Sequence, residues 1–127
     1  MGGTPAMTHV RYLACLAAYL LFMGQACAGA SGLAYCARTG KVGMANGLPS
    51  ADAAAQAAID NCVERGGIPD CCTNQVLTTS SGCIAIARGL NDFAFGRGAT
   101  PAEAVGNAVI ECQLNTQECM AMGHSCE

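Results

Sequence analysis

The chain has 127 residues, enough for one small domain once a targeting segment is set aside. Six basic residues stand against nine acidic ones, with a net charge of −3, and no basic stripe forms. That balance excludes nucleic acid and an anionic membrane surface as expected partners.

In chain order, the first element is a leader. His9 and Arg11 precede the apolar run Tyr12 to Met23 (YLACLAAYLLFM), and Ala26-Cys27-Ala28 follows with small-x-small spacing. The run is short for a bilayer span, which takes about 20 apolar residues. Residues 1–28 are therefore expected to be a secretory signal peptide cut after Ala28. Residues 29–127 form the expected domain, secreted or periplasmic, with no membrane association after cleavage.

Two of the ten cysteines, Cys15 and Cys27, fall in the leader. The others are Cys36, Cys62, Cys71, Cys72, Cys83, Cys112, Cys119 and Cys126. An even number in a short exported chain reads as a disulfide framework. Such bridges supply stability that a core with only three Phe and no Trp does not.

After the leader, a shift of 50 residues superposes the chain partly on itself. Ser31-Gly32 falls on Ser81-Gly82, Ala37-Arg38 on Ala87-Arg88, Ala54 on Ala104, Ala58 on Ala108 and Cys62 on Cys112. Each copy opens with an apolar run of strand type, GLAYCAR or CIAIAR. A turn follows, Arg38 to Lys41 or Gly89 to Asp92, and then a second strand. Ser50 caps a helix over Ala51–Arg65, which Gly66-Gly67 ends. Thr100 caps a helix over Pro101–Gln113, with Pro101 and Glu103 in its first turn. Ala54, Ala55, Ala58, Ile59 and Cys62 share one stripe of the first helix; Ala104, Val105, Ala108, Val109 and Cys112 share that of the second. So small a stripe must sit close to a sheet. The cysteine ending each stripe points to the next segment, giving Cys62 with Cys71 or Cys72, and Cys112 with Cys119. A strand over Cys72–Thr79 and a closing strand in CMAMGHSC complete the order β-β-α-β-β-β-α-β. The expected fold is a small disulfide-rich α+β domain, an antiparallel sheet with two helices packed on one face and an internal pseudo-repeat.

GLAYCARTGKVGMANGLPSADAAAQAAIDNC and SGCIAIARGLNDFAFGRGATPAEAVGNAVIEC resemble the two halves of a bacterial secreted family, domain of unknown function 4189. The resemblance spans about Gly32 to Cys126. It matches six cysteine positions: Cys62, Cys72 (or Cys71), Cys83, Cys112, Cys119 and Cys126. Cys36 and one of the adjacent pair are extra and imply a fourth bridge. Family members often carry Trp or Tyr on the second strand of each half, where this chain has Gly43, Met44, Phe95 and Gly96. The resemblance implies a fold and export; it implies no activity.

Several segments invite a chemical reading. Gly96-Arg97-Gly98 before a helix suggests an anion cradle. Yet Thr100 and Glu103 already use the N–H groups a phosphate would need, and no Lys or longer Gly-x-Gly-x-x-Gly run is present. Cys119, His124 and Cys126 could ligate zinc, but an oxidising compartment favours disulfides. His124 lacks an orienting acid and a nucleophile at triad spacing. Arg38 and Arg88, matched by the repeat, are the candidate partner-binding residues. No catalytic, cofactor or metal motif appears. The expected function is a non-catalytic protein-binding or inhibitory, immunity-like module. The alternatives are a secreted or envelope enzyme and a thiol-redox or stress factor.

Overall fold

The computed structural model describes residues 29–127. The expected signal peptide, residues 1–28, lies outside them. The elements are β1 (Ala30–Cys36), β2 (Lys41–Leu48), α1 (Ala51–Glu64), α2 (Pro69–Asn74), β3 (Val76–Thr79), β4 (Cys83–Arg88), β5 (Phe93–Gly98), α3 (Pro101–Asn115) and β6 (Met120–Cys126). The fold is α+β, with every strand pair antiparallel.

The helix starts follow from their caps. The Ser50 hydroxyl accepts from Ala53 N–H at 3.1 Å, and the Thr100 hydroxyl accepts from Glu103 N–H at 3.2 Å. At the far end of α1, Gly66 takes φ 106° and Gly67 N–H donates to Cys62 C=O, closing the last turn.

The expected single sheet divides into two three-stranded sheets, ordered β2-β1-β3 and β5-β4-β6. Each carries one helix instead of sharing a face with both. The reason lies in the central strands. On β1, Ala34 and Cys36 pack beneath α1, while Leu33 and Tyr35 point the other way. On β4, Cys83, Ala85 and Ala87 pack beneath α3, while Ile84 and Ile86 point the other way. Both strands are thus buried on both faces, small side chains towards a helix and large ones towards the other sheet. Leu33, Tyr35, Val42, Ile84 and Ile86 form the shared inner core with Met44, Leu77, Phe93 and Phe95. The layers run helix, sheet, sheet, helix.

The expected strand over Cys72–Thr79 is corrected in its first half. Pro69–Asn74 form helix α2, and the strand begins at Val76. Pro69 suits a first helical position. The adjacent cysteines settle the conformation. Cys71 bonds Cys36 and Cys72 bonds Cys62. Consecutive strand residues would point to opposite faces of a sheet, whereas a helical turn keeps both thiols towards one core.

Among the described residues the remaining bridges are Cys83–Cys126 and Cys112–Cys119. Three of the four, all but Cys83–Cys126, lie at the end of the sandwich where β1 and β4 finish. At the opposite end, the buried Ser31 hydroxyl donates to the Glu127 carboxylate at 2.6 Å, and Gly47 N–H donates to the same carboxylate at 2.9 Å.

The pseudo-repeat holds in three dimensions, but at more than one offset. The helices superpose at the 50-residue shift, with Ala54, Ala58 and Cys62 buried like Ala104, Ala108 and Cys112. The strands do not. Tyr35 pairs with Val42 and Leu33 with Met44, while Arg88 pairs with Phe93 and Ile86 with Phe95. On the face turned to the other sheet, the outermost pairs are Tyr35–Val42 and Arg88–Phe93, so by face Arg88 is the counterpart of Tyr35, and the 50-residue match of Arg38 with Arg88 does not carry over to the strands.

Candidate functional site

The new counterparts meet at the stapled end. Tyr35 ends the buried face of β1 and is 2% exposed. Its ring lies 4.6 Å from that of Phe93, tilted by 53°, and Phe93 meets Phe95 edge-on at 5.9 Å. Arg88 leaves the end of β4. It is exposed and lies over the β1–β2 turn, where a side chain on Gly40 would collide with its guanidinium. Gly40 holds φ 73°, so glycine suits the site twice over.

Around this pair opens a cleft of about 220 Å³, lined by Tyr35, Arg88, Leu90, Asn91, Asp92 and Phe93, among others. Tyr35 is the most buried of its lining residues. Its hydroxyl makes no hydrogen bond among the described residues, where no enclosed side-chain nitrogen or oxygen lacks a partner. It is therefore open to the cleft. Burial pushes it above its ordinary value of 10.0, and the nearby Arg88 guanidinium pulls against that shift.

The cleft wall is held, not loose. Leu90 N–H donates to Gln117 C=O at 3.0 Å, and Asn91 N–H donates to Thr116 Oγ1 at 3.0 Å. These bonds tie the β4–β5 turn to the loop closed by Cys112–Cys119. Asp92 accepts from Phe93 N–H at 2.8 Å, which occupies part of its carboxylate locally.

A pH test follows. Above pH 10 an unfolded chain loses the phenol proton that the folded chain still holds. The stability contributed by neutral Tyr35 is full below pH 10 and falls as pH rises through its raised value. Tyr35 is the only tyrosine beyond the leader. Tyrosinate absorbance of the 29–127 domain should show one midpoint above 10, and Arg88→Met should move it higher. A midpoint at or below 10 would contradict the buried setting.

The other candidates disperse. Arg38 is exposed in the β1–β2 turn, beside Gly40 and hence near Arg88. His124 lines a separate cleft of about 200 Å³ with Met44, Asn46 and Ser125. The Ser125 hydroxyl donates to Ala45 C=O at 3.1 Å, and the Glu127 carboxylate is engaged by Ser31 and Gly47. These sequence neighbours of His124 thus serve structure. The described cysteines are all bonded, Cys119 and Cys126 to different partners. No described group of three or more His, Cys, Asp or Glu could hold a metal ion. At Gly96 and Gly98 an added Cβ would strike the backbone of α3, so helix packing requires those glycines. Tyr35, Leu90, Asp92 and Phe93 went unnamed as site residues because they come from two strand ends far apart in sequence.

No described helix is long and apolar enough to cross a membrane. The four disulfides are compatible with a periplasmic or extracellular location.

Among curated proteins, none matches this chain. Among solved structures, the chain is similar to the NMR structure of Rv1813c from Mycobacterium tuberculosis, at 23% identity and a TM-score of 0.59. The match covers 78% of this chain and 75% of the other, and at that identity it speaks for the fold alone. The family described as "Domain of unknown function (DUF4189)" matches residues 30–126. The match spans both ββα copies and the four described bridges, and the chain belongs to that family.

Proposed function

We propose that this protein is a non-catalytic binding module that acts on a protein partner in the periplasm or outside the cell, inhibitory in the manner of an immunity protein. One observation carries the reading: the stapled end gathers four of the five described Lys and Arg side chains. Arg38, Lys41, Arg65 and Arg88 are all exposed there, with Lys41 beside Gly66 and Arg88 beside Gly40. The remaining described cation, Arg97, lies elsewhere, its guanidinium donating to Thr78 C=O at 3.0 Å. Glu64, Asp70, Asp92 and Glu118 share the stapled end, so the surface is mixed and suits a protein partner with acidic patches, not a polyanion.

Three bridges fix the segments that present these groups. Loops already held in place lose little conformational freedom on binding, which raises affinity without added contact area. The test is affinity capture from envelope and culture-fluid extracts with the oxidised domain. A partner retained at micromolar concentration, and lost on the double reversal Arg38→Glu with Arg88→Glu, supports the reading. Failure to retain any protein, or retention indifferent to the reversal, overturns it.

A further inference from the structure

The geometry points to the Tyr35–Arg88 cleft as a receptor for one carboxylate of the partner, an acidic side chain or a chain end, with an apolar neighbour against Leu90. This rests on the binding-module reading and names its chemistry. Three observations converge. The Tyr35 hydroxyl is a donor without a partner among the described residues, on the most buried side chain of a cleft lined by both polar and apolar groups. Arg88, on the rim, makes no hydrogen bond or ion pair there, and its charge reaches Tyr35. Leu90, on the same rim, is 60% exposed, an uncovered apolar contact beside a charged one.

A carboxylate accepts from both donors at once, and hydrogen bonds to an ionised group are roughly twice as strong as neutral ones. The guanidinium fork suits a planar anion with two acceptor oxygens. Phosphate would suit the fork too, but its larger charge would meet Asp92 on the cleft wall. The volume admits one such group with a short apolar side chain, not a cofactor. The strand ends and the bonded turn also fix the backbone from which the two donors project before any ligand arrives.

The four described disulfides and three core clusters close within residues 29–127, so the experiment uses that folded domain. Backbone amide shifts of Leu90, Asn91 and Asp92 are followed while short peptides are added. One peptide carries Glu-Leu with an amidated end; one carries Gln-Leu with an amidated end; one ends in a free Leu carboxylate with no acidic side chain. Inorganic phosphate is the fourth probe. Saturable shifts with the Glu-Leu or free-carboxylate peptide, and none with the Gln-Leu amide, are expected. Which of the two saturates first identifies the source of the carboxylate. Tyr35→Phe keeps the ring and removes only the hydroxyl, and Arg88→Met keeps the stem. Each should weaken the response about tenfold or more.

Equal response to the amidated Gln-Leu peptide, indifference to both variants, or tighter response to phosphate would overturn the inference. The two readings fail separately. A captured partner whose retention ignores Tyr35→Phe and Arg88→Met sinks the cleft and leaves the binding module. Peptide binding without any captured partner does the reverse.

Discussion

Gly96→Val is expected to lower the melting temperature by more than about 12 °C in the oxidised protein. Gly96 lies on β5 directly beneath α3. A Cβ there would overlap Ala104 C=O and Ala108 N–H, and lie 2.8 Å from Ala108 Cα. All three are backbone atoms of one helix turn, so no rotamer change relieves the clash. The helix must lift off the sheet, and Ala104, Ala108 and Cys112, all fully buried, lift with it. Overpacking a well-filled core costs about 1–3 kcal/mol, and more where backbone must move. At about 4–8 °C per kcal/mol for a domain of this size, roughly 3 kcal/mol gives the stated drop. Gly106→Ala is the matched control. It sits on the same helix with nothing within 4 Å of an added Cβ, and should raise stability by about 0.5–1 kcal/mol. Circular dichroism melts without reductant compare them. A change within about 2 °C for Gly96→Val would mean that α3 does not rest directly on β5.

The same glycines show what the sequence made legible. Gly96 and Gly98 first read as a ligand loop, and the Thr100 cap beside them gave the better explanation. That helix start and the one at Ser50 form where expected, because a cap is a local interaction among four residues. The alanine stripes also carried over, since helical periodicity alone decides which side chains share a face. Sheet number was harder. GLAYC and CIAIA are unbroken apolar runs, and an unbroken run marks a strand covered on both sides. The missing inference was that its second cover is the other copy's sheet. Helix α2 was hidden for a different reason. PDCCTN is too short for periodicity, and the need to send two adjacent thiols to one core becomes visible only once their partners are known. The cleft was least legible. Matching Ala37-Arg38 to Ala87-Arg88 followed residue identity, whereas the inward face of each hairpin places Arg88 where Tyr35 stands. Tyr35 itself left one signal, a lone tyrosine closing a buried run.

Paired Cys→Ser substitutions should separate global stability from the cleft. Loop-closure entropy grows with the length of chain a bridge encloses. Cys83–Cys126 spans 43 residues and Cys112–Cys119 spans 7. Chain entropy alone assigns about 4 kcal/mol to the first and about 2.5 kcal/mol to the second. Removing both cysteines of Cys83–Cys126 is thus expected to be the more destabilising change by denaturant midpoint. Its effect on the cleft should be small, because that bridge joins β4 to β6 at the opposite end of the sandwich. Removing Cys112–Cys119 should do the opposite. Cys119 Sγ would lie 3.0 Å from a Cβ on Gly89, so the bridge packs directly behind the β4–β5 turn. The bonds from Leu90 and Asn91 reach into the loop that it closes. Without it, that loop gains freedom, and amide protection at Leu90 and Asn91 should fall while the rest of the sandwich keeps its exchange pattern. Hydrogen exchange under non-reducing conditions reads both effects in one experiment. If both pairs lower protection at Leu90 and Asn91 equally, the domain opens as one cooperative unit, and Cys112–Cys119 has no separate role in holding the cleft.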